Sequence, residues 1–191
     1  MLTLGLALGV TKERDQELYN EFKAGKITYD EWNNLVLAEY MKHEDASREG
    51  VARIFDQYVL SDGAQEAVSY LQKKDYEIIL ISGSIDMLVH QVARDLGISY
   101  AKANNTFEFD DKERLVNIRS HGNDTLAKAE HLESFCDLLG IKMHECACIA
   151  DGVNDIEMFR RTGRGVTFRG SPIEKDAWKV MDSLHDICAI F

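Results

Sequence analysis

From Ser61 onward, short runs rich in apolar and β-branched residues alternate with amphipathic stretches of helical period, and this constrains the fold more than any other feature. "EIILIS" (Glu77–Ser82), "ACIAD" (Ala147–Asp151) and "GVTF" (Gly165–Phe168) are too short for helices. The first is nearly continuous in apolar residues, as a strand buried on both faces of a parallel sheet must be. Between them lie helical stretches. "DGAQEAVSYLQKKDY" (Asp62–Tyr76) turns Ala64, Val68 and Leu71 inward, and "IDMLVHQVARDLG" (Ile85–Gly97) ends at a glycine. "TLAKAEHLESFCDLLG" (Thr125–Gly140) and "DIEMFRRTG" (Asp155–Gly163) follow. "YAKANNTFEFDDKERLVNI" (Tyr100–Ile118) alternates and turns at Asp110–Asp111, which reads as a hairpin. The order specifies an α/β fold: a Rossmann-like parallel sheet core with helices on both faces and right-handed crossovers.

The first sixty residues carry no such alternation and read as helices. "TKERDQELYNEFKAGK" (Thr11–Lys26) places Leu18 and Phe22 on one face and stops at Gly25. "TYDEWNNLVLAEYMK" (Thr28–Lys42) opens with Thr28 as N-cap and Glu31 three residues on, a capping box. A third helix runs through "EDASREGVARIFDQY" (Glu44–Tyr58). The expected division is a small helical cap over residues 1–60 and an α/β core over 61–191.

A formal net charge of −11 argues against nucleic acid or an anionic membrane as partner, since most of the surface repels either. A small phosphorylated metabolite is compatible with it, given local cations. The four cysteines, Cys136, Cys146, Cys148 and Cys188, form no C-x-x-C and no zinc spacing, so reduced thiols in a cytoplasmic protein are the plain reading. No apolar run approaches the roughly 20 residues of a membrane helix. The start, "MLTLGLALGV", lacks a basic leader and a cleavage site.

In open α/β sheets, ligands bind beyond the carboxyl ends of the strands. "ISGS" (Ile81–Ser84) ends one strand, so that Ser82 and the backbone N–H groups of Gly83 and Ser84 at a helix N-terminus form a natural phosphate seat. "IADGVND" (Ile149–Asp155) ends another and puts Asp151 and Asp155 on a tight turn, hard oxygen ligands suited to Mg2+. Lys128, early in the intervening helix, can reach a phosphate as a point charge. Taken singly, Ser82-Gly83 reads as a turn, Lys128 as a solvated lysine, and Asp155 as the N-cap of the next helix. The aspartate pair at the end of an apolar strand is harder to dismiss, because uncompensated carboxylates repel there.

In this order the segments resemble the haloacid dehalogenase superfamily, and within it the phosphoserine phosphatases. "GVTKERDQELYNEFKAGKITYDEW" is similar to the helical cap, "IILISGSID" to the second motif, "TLAKAEHL" to the lysine motif, and "IADGVNDIEMF" to the fourth motif, the most specific match. The resemblance implies a Mg2+-dependent phosphomonoesterase working through an aspartyl-phosphate. Ser82 would hydrogen-bond the phosphoryl group and Lys128 would balance its charge. Asp151 would ligate Mg2+, and Asn154 and Asp155 would complete the acidic end of the site.

One part of the pattern is absent. The family's reaction begins at D-x-D-x-[TS] on a strand central to the sheet, and no such motif occurs in these 191 residues. The chain as given is therefore expected to be inactive, its first core strand missing. The strands ending at Ser82 and Asp151 would be left with open edges. Three ways of closing that gap are open. The two strands could pair, a homodimer could cover them, or "LTLGLALGV" (Leu2–Val10) could supply a strand, since its leucines at 2, 4, 6 and 8 have a period of two. Leu2, Leu6 and Val10 also share a helical face, and helix is the expectation adopted. The cap arginine of phosphoserine phosphatases has no counterpart from Tyr29 to Tyr40, so a different small phosphate ester is expected. The alternative to an enzyme is a non-catalytic module that keeps a phosphate and metal pocket. The enzyme reading is preferred because Ser82, Lys128, Asp151 and Asp155 are all present.

Overall fold

A computed structural model describes residues 4–191. The chain divides into two compact units. One comprises Met1–Val59 with Ile85–Leu88 and Asn105–Gly122; the other comprises Leu60–Ser84, Val89–Asn104 and Asn123–Phe191. The helical unit thus takes the hairpin arm as well as the first sixty residues, a wider territory than the sequence suggested.

In chain order the helical unit holds α1 (Leu4–Ala7), α2 (Lys12–Lys23), α3 (Tyr29–Tyr40) and α4 (Arg48–Phe55). Residues 4–7 are helical, as expected of the opening segment, while Leu2 lies outside the described residues. The capping box forms: the Glu31 N–H donates to Thr28 Oγ1 at 3.2 Å and the Thr28 N–H to Glu31 Oε2 at 2.8 Å. These bonds hold the exposed Glu31 carboxyl below the usual carboxylate range. α2 ends at Ala24, and Gly25 follows at φ +68°, a left-handed conformation that glycine adopts without a Cβ penalty. The α4 helix starts later than expected because Ser47 caps it, accepting from the Gly50 N–H at 3.1 Å.

The remaining elements are α5 (Ala64–Lys73), β1 (Ile79–Ile85), α6 (Asp86–Leu96), β2 (Tyr100–Phe109), β3 (Leu115–Ser120), α7 (Asp124–Leu139), β4 (Cys148–Ile149), α8 (Ile156–Thr162), β5 (Gly165–Phe168), β6 (Lys179–Met181) and α9 (Ile187–Ile190). β2 and β3 form the expected antiparallel hairpin, with Phe107 opposite Ile118. Its apolar face joins Leu37, Val51 and Phe55 in the core of the helical unit through Phe107 and Leu115. α3 is tied to the same hairpin by polar bonds: Asn33 Nδ2 donates to Ser120 Oγ at 2.6 Å, and the Ser120 hydroxyl donates to Asn105 Oδ1 at 2.5 Å.

Among the described residues the strands form two three-stranded sheets, ordered β1-β2-β3 and β4-β5-β6, the latter parallel throughout. β1 and β4 each end a sheet. In β4 the Cys148 and Ala150 N–H groups donate to Arg164 and Val166 carbonyls of the β5 side, both at 3.0 Å. The peptide groups of Ile149 between them therefore point to the opposite edge. Ile79 and Ile81 of β1 pack against the cluster that contains Cys148, Ala129, Leu132 and Phe159, so the ends of both sheets share one apolar core. The expectation that β1 is buried on both faces fails: every one of its residues is only half-buried, because among the described residues it has a strand neighbour on one side alone. Neither pairing of β1 with β4 nor a strand built from residues 4–7 closes the sheet. Among the described residues no helix is long and apolar enough to cross a membrane.

Candidate functional site

The site is built within the α/β unit from the end of β1, the start of α7 and the turn after β4. Ser82, Gly83 and Ser84 lie inside β1, and α6 begins only at Asp86. The expected seat at a helix N-terminus is thus a strand end instead. Ser82 Oγ accepts from the Ser84 N–H at 3.2 Å, so one of the backbone donors expected to meet a ligand is engaged locally.

Lys128 is one turn into α7, whose N-cap Asn123 accepts from the N–H groups of Thr125 and Leu126. It is not a solvated lysine: the residue is 7% exposed and its Nζ donates to Asp155 Oδ1 at 2.7 Å. Asp155, 4% exposed, stands at the N-cap position of α8 but makes no side-chain cap. Its Oδ2 accepts instead from the Gly152 N–H at 3.1 Å, which folds the 149–155 turn back on itself. Both oxygens of Asp155 are thus committed, one to a cation and one to the backbone. A buried pair in which each carboxylate oxygen has a donor is an arrangement in which two charges out of water can persist.

Asp151 is exposed, with its backbone carbonyl accepting from Ser171 Oγ at 3.0 Å. Its carboxylate is a hard oxygen donor. Among the described residues, no three His, Cys, Asp or Glu side chains form a group that could hold a metal ion. One carboxylate with waters nevertheless suits Mg2+, which retains much of its hydration shell. Asp151 fits that role, and Asp155, read from the sequence as a second ligand, is paired with Lys128 here.

Asp124 and Asn104, which sequence reasoning missed, join these pieces. Asp124 Oδ1 accepts from Asn104 Nδ2 at 2.7 Å, and its Oδ2 accepts from Asn154 Nδ2. A Cβ on Gly83 would fall 2.6 Å from Asp124 Oδ2, so the carboxylate rests directly on the backbone at the end of β1. The strand end, the first turn of α7 and the 151–155 turn are therefore connected. The cue in the sequence was Asn104-Asn105, two amides inside a strand, where polar side chains need partners once buried. Asp124 gave no cue beyond an acidic residue in a first helical turn.

A family model for haloacid dehalogenase-like hydrolases matches residues 5–163. The phosphoserine phosphatase of Methanocaldococcus jannaschii is 28% identical over 144 residues, covering 75% of this chain and 68% of that protein. The phosphoserine phosphatase of Streptomyces coelicolor is 28% identical over 118 residues, and there the chain spans only 28% of the relative's length. A solved structure of a substrate-bound phosphoserine phosphatase superposes with a TM-score of 0.79 at 25% identity, covering 98% of this chain and 88% of that one. A structure of a phospho-aspartyl intermediate analogue of phosphoserine phosphatase gives 0.78 at 25% identity, over 97% and 88%.

Proposed function

The chain belongs to the haloacid dehalogenase-like hydrolases, and from that premise we propose that its site receives the phosphoryl group of a small phosphorylated metabolite in a Mg2+-dependent phosphatase reaction. The observation that carries the reading is Lys128, a buried lysine held 2.7 Å from a buried aspartate at the carboxyl end of a parallel sheet. Burial of a charged pair is costly and marks a position with a task for the charge.

Ser82 donates its hydroxyl to a phosphoryl oxygen, and Lys128, fixed by Asp155, supplies positive charge without having to be ordered on binding. Asp151 would hold Mg2+, which when bound polarises a phosphoryl oxygen as a Lewis acid. Asp155 keeps the Lys128 ammonium and the Gly152 backbone in register. The attacking carboxylate is the element that Ser82, Lys128 and Asp151 do not supply, and these 191 residues contain no D-x-D-x-[TS].

Two measurements test this. With Mg2+, this chain binds inorganic phosphate, and Ser82→Ala weakens the binding, but p-nitrophenyl phosphate is not turned over. An extended peptide carrying D-x-D-x-T, added in trans, then restores turnover that Asp151→Asn abolishes. Turnover that survives Asp151→Asn overturns the assignment of roles. Phosphate binding with no turnover under any complementation favours instead a non-catalytic phosphate-binding module.

A further inference from the structure

The carboxylate of Asp124 is held as a phosphate oxygen would be held. Two amide side chains turn their NH2 groups onto it, Asn104 from β2 and Asn154 from the 151–155 turn. Amide dipoles from two separate segments thus help to hold this anion. It sits in the first turn of the 16-residue α7, where the helix dipole favours negative charge. It also lies against Gly83, the residue following Ser82.

The orientation of Asn104 shows which group dictates the arrangement. Asn104 is 2% exposed, and its Oδ1 is buried without a hydrogen-bond partner. Leaving an acceptor unpaired is costly. The amide nonetheless directs its NH2 toward Asp124, because a carboxylate can only accept. Asn154 is oriented by the same rule. Its Oδ1 would lie 2.5 Å from a Cβ on Gly152, on the side of the amide away from Asp124.

We propose that Asp124 is a specificity-determining residue that occupies the anion seat of this site from within, taking the amide donor of Asn154 and the space beside Gly83 that an incoming phosphate must claim. The inference rests on the phosphoryl-binding reading given above and adds to it an internal competitor. Phosphate enters by displacing the Asp124 carboxylate from Asn154, so the site discriminates against weakly charged anions and against phosphate offered without a cation.

Inorganic phosphate is the probe, titrated calorimetrically in the presence of Mg2+ into the full chain and into Asp124→Asn and Asp124→Ala. Both variants are expected to bind at least about tenfold tighter than the parent, a factor equivalent to about 1.4 kcal/mol. In the parent, phosphate should also move the side-chain amide resonances of Asn154 and Asn104 in a 1H–15N spectrum, because their donors change partner. This measurement needs no variant and stands if Asp124→Ala fails to fold. A purely structural Asp124 predicts equal or weaker binding in the variants and unmoved amide signals, and either result overturns the proposal. If Ser82→Ala weakens phosphate binding while the Asp124 variants leave it unchanged, this inference fails and the phosphoryl-binding reading survives. If neither the parent nor any folded variant binds phosphate, both fail.

Discussion

Replacing Lys128 by methionine keeps most of the side-chain volume and deletes the ammonium. What remains is the Asp155 carboxylate, 4% exposed, with the Gly152 N–H as its remaining hydrogen-bond donor. Removing one member of a buried ion pair costs about 3–5 kcal/mol, because the other charge stays out of water. Against a total stability of about 5–15 kcal/mol this is a large fraction. In a chain of 191 residues it corresponds to a fall in Tm of roughly 6–20 °C, at about 2–4 °C per kcal/mol. Urea unfolding followed by circular dichroism should show a lower midpoint with an unchanged slope. The double variant Lys128→Met/Asp155→Asn should recover most of the loss, since it removes the stranded charge along with its partner. The coupling read from the four-membered cycle should then exceed that of an exposed pair, about 0.2–1 kcal/mol. A Lys128→Met loss inside that small range would refute the claim that the pair is desolvated.

Gly165→Ala should destabilise the protein by about 1–3 kcal/mol in the same assay, because the new methyl meets buried Phe159 Cδ2 at 2.1 Å. Thr28→Ala should cost about 0.5–2 kcal/mol through loss of the α3 cap, with little change in phosphate binding. Of the thiols, exposed Cys188 should react first with a disulfide reagent at neutral pH. Burial pushes the Cys136 thiol up to about 12 and the Cys148 thiol up to about 11. Their folded pKa values exceed the unfolded value, so the stability they confer is complete below the ordinary thiol range. It should fall as pH rises from about 9 toward 11, seen as a declining Tm. A Tm flat across that window would contradict the burial of these thiols.

Where local chemistry decides structure, the sequence was legible. Thr28 and Glu31 announced the start of α3, and Gly97, Gly140 and Gly163 marked helix ends, all three at positive φ. β6 was not foreseen, because its three residues, Lys179–Met181, are held as a strand by pairing with β5 rather than by pattern. The end of β1 was misplaced because Gly83 reads as a turn, whereas the strand runs on to Ile85. In the site, residue types were legible and partners were not. Asp155 was readable as a functional carboxylate, but its commitment to Lys128, 27 positions away, depends on α7 and the turn after β4 meeting in space. Asp124 carried no local signal beyond its place in a first helical turn; its partners Asn104 and Asn154 come from two other segments.

The way the chain threads between its two units has a consequence for synthesis on the ribosome. The core that holds Leu37, Val51 and Phe55 is completed by Phe107 and Leu115, and these emerge only after two segments of the other unit, Leu60–Ser84 and Val89–Asn104, have been made. At elongation rates of about 5–20 residues per second, the first helices wait roughly 3–11 s after Val59 for Leu115 to appear. During that interval the apolar faces of α3 and α4 have no partner from the hairpin. A nascent chain stalled before Leu115 should therefore present the apolar faces of α3 and α4 to hydrophobic holdases, and a crosslink from those two helices should be lost in one stalled well beyond Gly122.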